Sequence, residues 1–131
     1  MPWAMESQDI HIRIGHSPDP DDAFMFHALT TGAMETPGRR YEHVLLDIQT
    51  LNEKALNSEY EISAVSIHSF PKIIENYALM NCGASMGEGY GPMLIGNEQL
   101  TSQEAKSRKI AIPGLDTSAY LALRLAWGEA D

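Results

Sequence analysis

The spacing of apolar residues changes repeatedly along the chain, and this predicts strands separated by helices. Residues 10–16 place isoleucine at every second position, which is typical of a strand. A proline-rich segment, 17–20, ends the run, because proline can continue neither a ladder nor a helix interior. A helix is predicted to begin near Asp21 or Asp22 and to end at Gly32. Its inward face is predicted to contain Phe24, Met25, Ala28 and Leu29.

Two further strand and helix pairs are predicted in the same way. A strand over 41–46 leads to Asp47, which can cap a helix, although Thr50 followed by Glu53 is a second possible start. A third strand over 62–67 leads to Ser69, a possible cap for another helix. The first of these helices buries Ile48, Leu51 and Ala55, and the second has Pro71 in its first turn and buries Ile73, Ile74 and Tyr77.

The remaining residues contain shorter elements. Short strands are predicted over 78–82, 93–95 and 109–112, and the segment 83–92 must be a loop because it holds four glycines. A polar helix over 101–107 has Thr101 and Glu104 as a capping box. After Pro113-Gly114 a helix over 117–127 is predicted to bury Leu121, Leu125 and Ala126. Alternating strands and helices indicate the α/β class.

Three strand-to-helix junctions carry polar and small residues: 17–22, 66–69 and 114–118. In an open α/β sheet such junctions lie at the carboxyl ends of strands, where ligands bind. A helix N-terminus offers unpaired N–H groups and about half a positive charge, so it can hold a carboxylate. Thr117 and Ser118 add hydroxyl groups, which makes the last junction the best anion site. The alternative is that these residues only cap helices, which is their ordinary role.

Composition and charge narrow the classes of partner. The 131 residues carry 18 Asp and Glu against 9 Lys and Arg, a formal charge of −9. Nucleic acids and anionic membranes are usually met by clustered Lys and Arg, so neither is expected as a partner. The length allows one domain. The first eight residues hold no basic segment or apolar run, so no secretory signal is predicted.

Other reactive residues give weaker indications. Asp19, Asp21 and Asp22 beside His16 could bind a metal, but helix N-termini attract carboxylates for dipole reasons alone. His68 follows a strand and could act as a base, although a lone histidine is more often packed or at the surface. The single cysteine, Cys82, excludes an internal disulfide, fits a reducing compartment and is interpreted as a small core residue.

Five strings of residues stand out in order along the chain: His16-Ser17-Pro18-Asp19-Pro20-Asp21-Asp22-Ala23-Phe24-Met25-Phe26, Asp47-Ile48-Gln49-Thr50-Leu51-Asn52, Ala64-Val65-Ser66, Gly87-Glu88-Gly89-Tyr90-Gly91-Pro92, and Ile112-Pro113-Gly114 with Thr117-Ser118-Ala119-Tyr120. Together they resemble one family from about Ile10 onward, the 1,4-dihydroxy-6-naphthoate synthases. These enzymes are the cyclic dehypoxanthine futalosine lyases of the futalosine route to menaquinone. The related chorismate dehydratases of the same route fit less well at the first two strings.

The resemblance implies a type II periplasmic-binding-protein-like fold, in which two α/β lobes close on a ligand. Residues 10–96 would then form the first lobe and 109–131 the start of the second. Residues 97–108 would connect them, and 1–9 would be an N-terminal extension. Solute-binding proteins share this fold and are an alternative to the enzyme.

The resemblance also implies a site and a reaction. A small-molecule carboxylate substrate would be bound by Ala64, Val65, Ser66, Thr117 and Ser118, with weaker indications for Ser17, Asp19 and Gly91. The family reaction needs no cofactor or metal and uses a histidine as proton acceptor. That histidine corresponds to no residue up to Asp131, so this chain is expected to be an inactive N-terminal part of a cytoplasmic lyase.

Overall fold

The computed structural model describes residues 9–128, and its regular elements begin with three β-strands and two helices. β1 spans Ile10–His16, α1 Pro20–Thr30, β2 Arg39–Leu45, α2 Ile48–Leu56 and β3 Ile62–Ser63. A 3-10 helix covers Phe70–Lys72, and two more helices follow, α3 at Ser102–Lys106 and α4 at Ser118–Trp127. The predicted extension 1–9 lies outside the described residues except for Asp9.

The three strands form one parallel sheet in the order β2-β1-β3. β1 pairs along its whole length with β2, from Ile10 opposite Arg39 to His16 opposite Leu45. β3 pairs with the end of β1, where Ile14 lies opposite Ile62. Parallel neighbours joined by helices are the pattern that the alternation predicted, so the α/β class is confirmed.

Glycine in β1 lets α2 pack closely on the sheet. A Cβ at Gly15 would lie 2.8 Å from a methyl carbon of Leu51 and 2.8 Å from a ring carbon of Tyr60. Leu51 and Ala55 are buried on the same face of α2, as predicted. α2 begins where Asp47 caps it, because a carboxylate oxygen accepts the Thr50 N–H at 3.0 Å. The alternative cap, Thr50, lies inside the helix.

Five of the eleven buried residues within 9–128 are polar. The buried apolar side chains are Ile14, Leu51, Ala55, Ile73 and Ala105. The buried polar residues are His16, Ser17, Asn52, Ser69 and Thr117. Because polar groups are buried only where they find partners, these five mark the places where hydrogen bonding, and not apolar packing, holds the described residues together.

Several predicted strands are wrong. Residues 78–82, 93–95 and 109–112 contain no strand, and β3 is shorter than the predicted 62–67. After β3 the Ala64 N–H still bonds the Gly15 carbonyl at 2.8 Å, but the Ser66 N–H bonds the Asn52 side chain. A side chain therefore replaces the next ladder partner, and the strand ends. The segment 83–92 is an irregular loop as predicted.

The helices begin close to the predicted residues, but two predicted inward faces are wrong. In α1, Phe24 is 87% exposed and Ala28 is exposed, while Met25, Phe26 and Leu29 are half-buried. Phe26 packs on the ring of His16, so the sheet contacts a neighbouring face of the helix. In α4, Leu125 and Ala126 are exposed and Leu121 is half-buried.

The helix predicted after Ser69 is only one turn of 3-10 helix. Its bonds run from Lys72 N to Ser69 O and from Ile73 N to Phe70 O, three residues back. Ile73 is buried and Tyr77 half-buried, as predicted, but Ile74 is exposed. Cys82 is exposed as well, so its interpretation as a core residue is wrong. Among residues 9–128 no helix is long and apolar enough to cross a membrane.

Candidate functional site

The strand order places a natural binding crevice between β1 and β3. From β1 the chain crosses to β2 on one side and then to β3 on the other, so the direction of winding reverses between β1 and β3. Ligands of open α/β sheets bind at such a reversal, beyond the carboxyl ends of the two strands. Here those ends are followed by Ser17 and by residues 64–66, and Ser17 and Ser66 begin two of the three junctions.

Asn52 organises the segment that follows β3. Its carboxamide oxygen accepts the backbone N–H of Ser66 at 2.8 Å, and its Nδ2 donates to Ser66 Oγ at 3.2 Å. The same Nδ2 donates to the carbonyl of Asp116 at 3.3 Å. Asn52 is only 1% exposed, so α2 presents a fully buried amide that joins two distant parts of the chain. Its short side chain has the donors and the acceptor that this requires.

The loop before α4 is bound to the rest of the molecule at Asp116. Its backbone N–H donates to Gln49 Oε1 at 3.1 Å, and its carbonyl accepts from Ser69 Oγ at 2.8 Å. Its carboxylate forms an ion pair with Lys72. This hydrogen-bonded ion pair holds the pKa of the Asp116 carboxyl below its usual range. The carboxylate is therefore charged near neutral pH and is paired with the Lys72 ammonium.

Gly114 allows Gln49 to reach this loop. A Cβ at Gly114 would collide with the Gln49 side chain, and the φ of 149° is in the region that favours glycine. The Pro113-Gly114 break seen in the sequence therefore has two roles. It turns the chain toward α4, and it opens the space for a hydrogen bond from α2.

Thr117 and Ser118 begin α4 and contact the segment after β3. Thr117 is the N-cap, since its Oγ1 accepts the Tyr120 N–H at 3.3 Å and donates to the Gly114 carbonyl at 2.8 Å. His68 contacts both residues: its Nδ1 lies 3.2 Å from the Thr117 carbonyl and its backbone N–H lies 3.4 Å from Ser118 Oγ. The structure thus brings together two junctions that are about 50 residues apart in sequence.

Two hydroxyl groups in this cluster keep a proton for a ligand. Ser66 Oγ accepts from Asn52, and Ser118 Oγ accepts from the His68 N–H. A serine hydroxyl that accepts one bond still carries its own donor. As at any helix N-terminus, the first N–H groups of α4 have no backbone carbonyl partners within the helix. Ser66 and Ser118 therefore each still offer one hydroxyl donor, whereas the Thr117 hydroxyl is already used in capping.

Ser17 and Asp19 form a local turn at the end of β1. Ser17 Oγ accepts the Asp19 N–H at 3.1 Å, and the Ser17 N–H donates to the Asp22 carboxylate at 2.7 Å. Asp19 occupies the N-cap position of α1, but its side chain forms no capping bond. Gly91 lies exposed in the loop 83–92. The hydroxyl of Ser85, in the same loop, bonds the Asp21 carboxyl and lowers its pKa.

His16 does not join the aspartates of α1. Its Nε2 lies 3.0 Å from Nδ1 of His43 on β2, and its Nδ1 lies 3.0 Å from the Ser17 carbonyl. Phe26 covers the ring at a centroid distance of 4.4 Å. Within residues 9–128 no group of three His, Cys, Asp or Glu side chains is arranged to hold a metal ion.

Sequence reasoning did not single out four residues of the cluster, namely Gln49, Asn52, Lys72 and Asp116. Gln49 and Asn52 do carry a signal, because they belong to the string 47–52 in which the family resemblance lies. In a helix, residues three apart share a face, so both could have been placed on the side of α2 that meets the loop before α4. Lys72 and Asp116 had no local signal.

Comparison with known proteins shows what most of the chain is similar to. A family model described as menaquinone biosynthesis matches residues 12–131. A 1,4-dihydroxy-6-naphthoate synthase of Thermus thermophilus is 34% identical over 114 residues, and one of Streptomyces coelicolor is 32% identical over 115 residues. Each alignment covers 87% of this chain but only 41% and 39% of the relatives, so the chain spans about two fifths of their length.

A solved structure has the same fold over most of the chain. The crystal structure of an Archaeoglobus fulgidus protein matches with a TM-score of 0.81 and 44% sequence identity. The match covers 88% of this chain and 42% of that one.

Proposed function

The chain belongs to the menaquinone-biosynthesis family, and from this premise we propose that the protein is a 1,4-dihydroxy-6-naphthoate synthase. In this proposal it converts cyclic dehypoxanthine futalosine to 1,4-dihydroxy-6-naphthoate in the futalosine route. The names of the two curated relatives support the choice of reaction, although the chain spans only about two fifths of their length. The expected location of the protein, the cytoplasm, is part of the same proposal.

The observation that carries the proposal is the meeting of the segment 64–69 with the start of α4. Ser66 and Ser118 retain hydroxyl donors beside a helix N-terminus, which is the arrangement that a substrate carboxylate needs. We assign Ala64, Val65, Ser66, Thr117 and Ser118 to the substrate site, with Ser17, Asp19 and Gly91 at its edge. Thr117 would contribute by fixing the first turn of α4, because its hydroxyl is engaged.

The two-lobe fold is also part of the proposal. A parallel sheet in the order β2-β1-β3 with helical crossovers supports a first lobe over 10–96. Residues 97–108 would connect it to a second lobe that begins at 109. The hydrogen bonds of Gln49, Asn52, Ser69 and Lys72 to Asp116 would then join the two lobes at the substrate site. No metal or cofactor is required by this chemistry.

The test is turnover by the protein as its own organism expresses it. The protein is incubated with cyclic dehypoxanthine futalosine, and 1,4-dihydroxy-6-naphthoate is quantified by liquid chromatography. We expect naphthoate to form at an enzymatic rate. Chorismate is supplied in a parallel reaction. Its dehydration, with no naphthoate formed from the futalosine, would replace the proposal with a chorismate dehydratase.

Ser118→Ala and Ser66→Ala in the natural-length protein test the site itself. Each removes one hydroxyl donor from the proposed carboxylate site, so KM should rise about tenfold, as expected for a lost hydrogen bond to a charged group. Ser107→Ala is the matched control, because Ser107 ends α3 and its hydroxyl bonds only the Glu104 carbonyl there. An unchanged KM in both variants would remove these residues from the substrate site.

A further inference from the structure

Asp116 uses all three of its polar groups on residues outside its own loop. Its N–H donates to Gln49, its carbonyl accepts from Asn52 and Ser69, and its carboxylate pairs with Lys72. The Asp116 side chain is 16% exposed, against 50% for the Lys72 side chain. Few residues of a connecting loop are held at every group, because loops normally expose their backbone to water.

The four partners come from two places in the fold. Gln49 and Asn52 lie on α2, whereas Ser69 and Lys72 lie on the turn after β3. Each peptide unit is planar, so fixing the N–H and the carbonyl of one residue fixes the peptide planes on both of its sides. The peptide plane on the C-terminal side contains the backbone nitrogen of Thr117, the N-cap of α4. Contacts to Asp116 therefore set where the chain enters α4.

These contacts are not needed to form α4. Thr117 caps the helix with its own hydroxyl, and the Leu121 N–H bonds the Thr117 carbonyl at 3.1 Å. The Asp116 contacts instead fix where the helix begins relative to Ser66. The N–H and the hydroxyl of Ser66 are held by the same Asn52 that bonds Asp116. One buried amide thus bonds both sides of the proposed carboxylate site.

We propose that Asp116 is a positioning residue for substrate binding, which holds the start of α4 at the distance from Ser66 that the substrate carboxylate requires. The proposal rests on the function proposed above. It assigns to Lys72 the role of orienting the Asp116 carboxylate, and to Gln49 the role of holding the Asp116 N–H. None of the three needs to touch the substrate.

Kinetics of the natural-length protein with cyclic dehypoxanthine futalosine separate positioning from general stability. Asp116→Ala should raise KM about tenfold and change kcat less than about twofold, because a displaced binding group weakens binding without changing the reacting atoms. Asp116→Asn keeps an oxygen that Lys72 can reach and should lie between Asp116→Ala and the parent. The exchanged pair, Lys72→Asp with Asp116→Lys, should bring KM back to within about threefold of the parent.

The matched control is Glu98→Gln, which removes the carboxylate of another ion pair, with Arg108 at 3.1 Å, outside the site. It should leave both constants unchanged. A KM that stays at the parent value in Asp116→Ala would overturn the proposal. A lower kcat together with a lower thermal stability, but with the parental KM, would overturn it as well.

Hydrogen–deuterium exchange tests the positioning role without any substrate. In Asp116→Ala and in Gln49→Ala, exchange should rise in peptides that cover 114–121 and stay at the parent rate in α2. If the parent protein shows no turnover, the proposed function fails, and the exchange experiment alone decides the positioning role. Unchanged exchange over 114–121 would overturn it whatever the activity.

Discussion

Asn52 holds Ser66 with two hydrogen bonds, one to its backbone N–H at 2.8 Å and one to its hydroxyl oxygen at 3.2 Å. This pairing ends β3, because the Ser66 N–H is taken out of the sheet ladder. It also leaves the hydrogen of the Ser66 hydroxyl available to donate to a third partner. A single buried amide therefore decides both a strand boundary and the hydrogen-bonding character of a proposed binding residue.

Replacing Asn52 should cost both stability and substrate affinity. Asn52→Asp removes the donor that bonds Ser66 and Asp116 and places a carboxylate beside the Asp116 carbonyl. We expect the free energy of unfolding to fall by about 2 to 4 kcal/mol, since a charge is buried beside a carbonyl oxygen that loses one of its donors. Urea unfolding followed by circular dichroism measures this. Asn81→Asp, at an exposed residue outside the regular elements, is the control, and its free energy of unfolding should fall by less than about 0.5 kcal/mol.

Gly114→Ala should destabilise the loop before α4 for two separate reasons. The added Cβ collides with Gln49, and alanine is strained at a φ of 149°. Together these should lower the free energy of unfolding by about 2 to 4 kcal/mol. Gly32→Ala is the matched control, because Gly32 has a φ of 68° but open space around it, so only the backbone strain applies. If both glycine variants lost the same free energy, the collision with Gln49 would have no role.

Local signals explain why the helices could be predicted. Asp47 caps α2 through Thr50, and Thr101 forms the capping box with Glu104 in α3, both over three residues. Such contacts are settled within one helical turn, so the sequence contains them completely. The inward faces of α1 and α4 were predicted less well, because which face meets the sheet depends on how the helix is placed over it.

The strands were predicted wrongly because a strand depends on contacts that are not local. Apolar runs such as 78–82 and 93–95 describe the side chains of a strand, but a strand exists only where a second backbone pairs with it. No such pairing is present for these runs within residues 9–128. The same holds for the candidate site. The ion pair between Lys72 and Asp116 spans 44 residues, and no local pattern marks either side chain.

The contact of Arg13 with Glu61 should make stability depend on pH in the acid range. The Arg13 guanidinium bonds both carboxylate oxygens at 2.8 and 3.1 Å, and the Arg13 N–H adds a bond at 2.8 Å. These bonds lower the pKa of Glu61 to about 2. The unfolded chain takes up this proton first, so the stabilisation is present above about pH 4.5 and is lost as pH falls toward 2.

Glu61→Gln should therefore flatten the loss of stability between pH 4.5 and 2.5, measured as the urea midpoint at constant ionic strength. Glu35→Gln, an exposed substitution in the segment before β2, serves as the control. An equally steep acid loss in Glu61→Gln and in the parent would show that other carboxylates dominate.

The pair formed by His16 and His43 should give a second pH dependence, nearer to neutral. The Ser17 carbonyl requires a proton on His16 Nδ1, so in the neutral pair His43 Nδ1–H donates to His16 Nε2. Nε2 of His43 is then a buried atom without a hydrogen-bond partner in the described part of the chain. Burial, and secondly the neighbouring charge of His16, lowers the pKa of His43.

A lowered histidine pKa means that the unfolded chain binds the proton more readily than the folded chain. Stability should therefore fall as pH drops through about 6.5 and continue to fall until the pKa of the folded state is passed. His43→Asn keeps a donor near the position of Nδ1 and removes the titration, so its urea midpoint should change less between pH 7.5 and 5.5 than that of the parent. His11→Gln is the control, at an exposed histidine of β1 that pairs with Glu42. Its urea midpoint should change between pH 7.5 and 5.5 as much as that of the parent. A parental slope in His43→Asn would place the titrating group elsewhere.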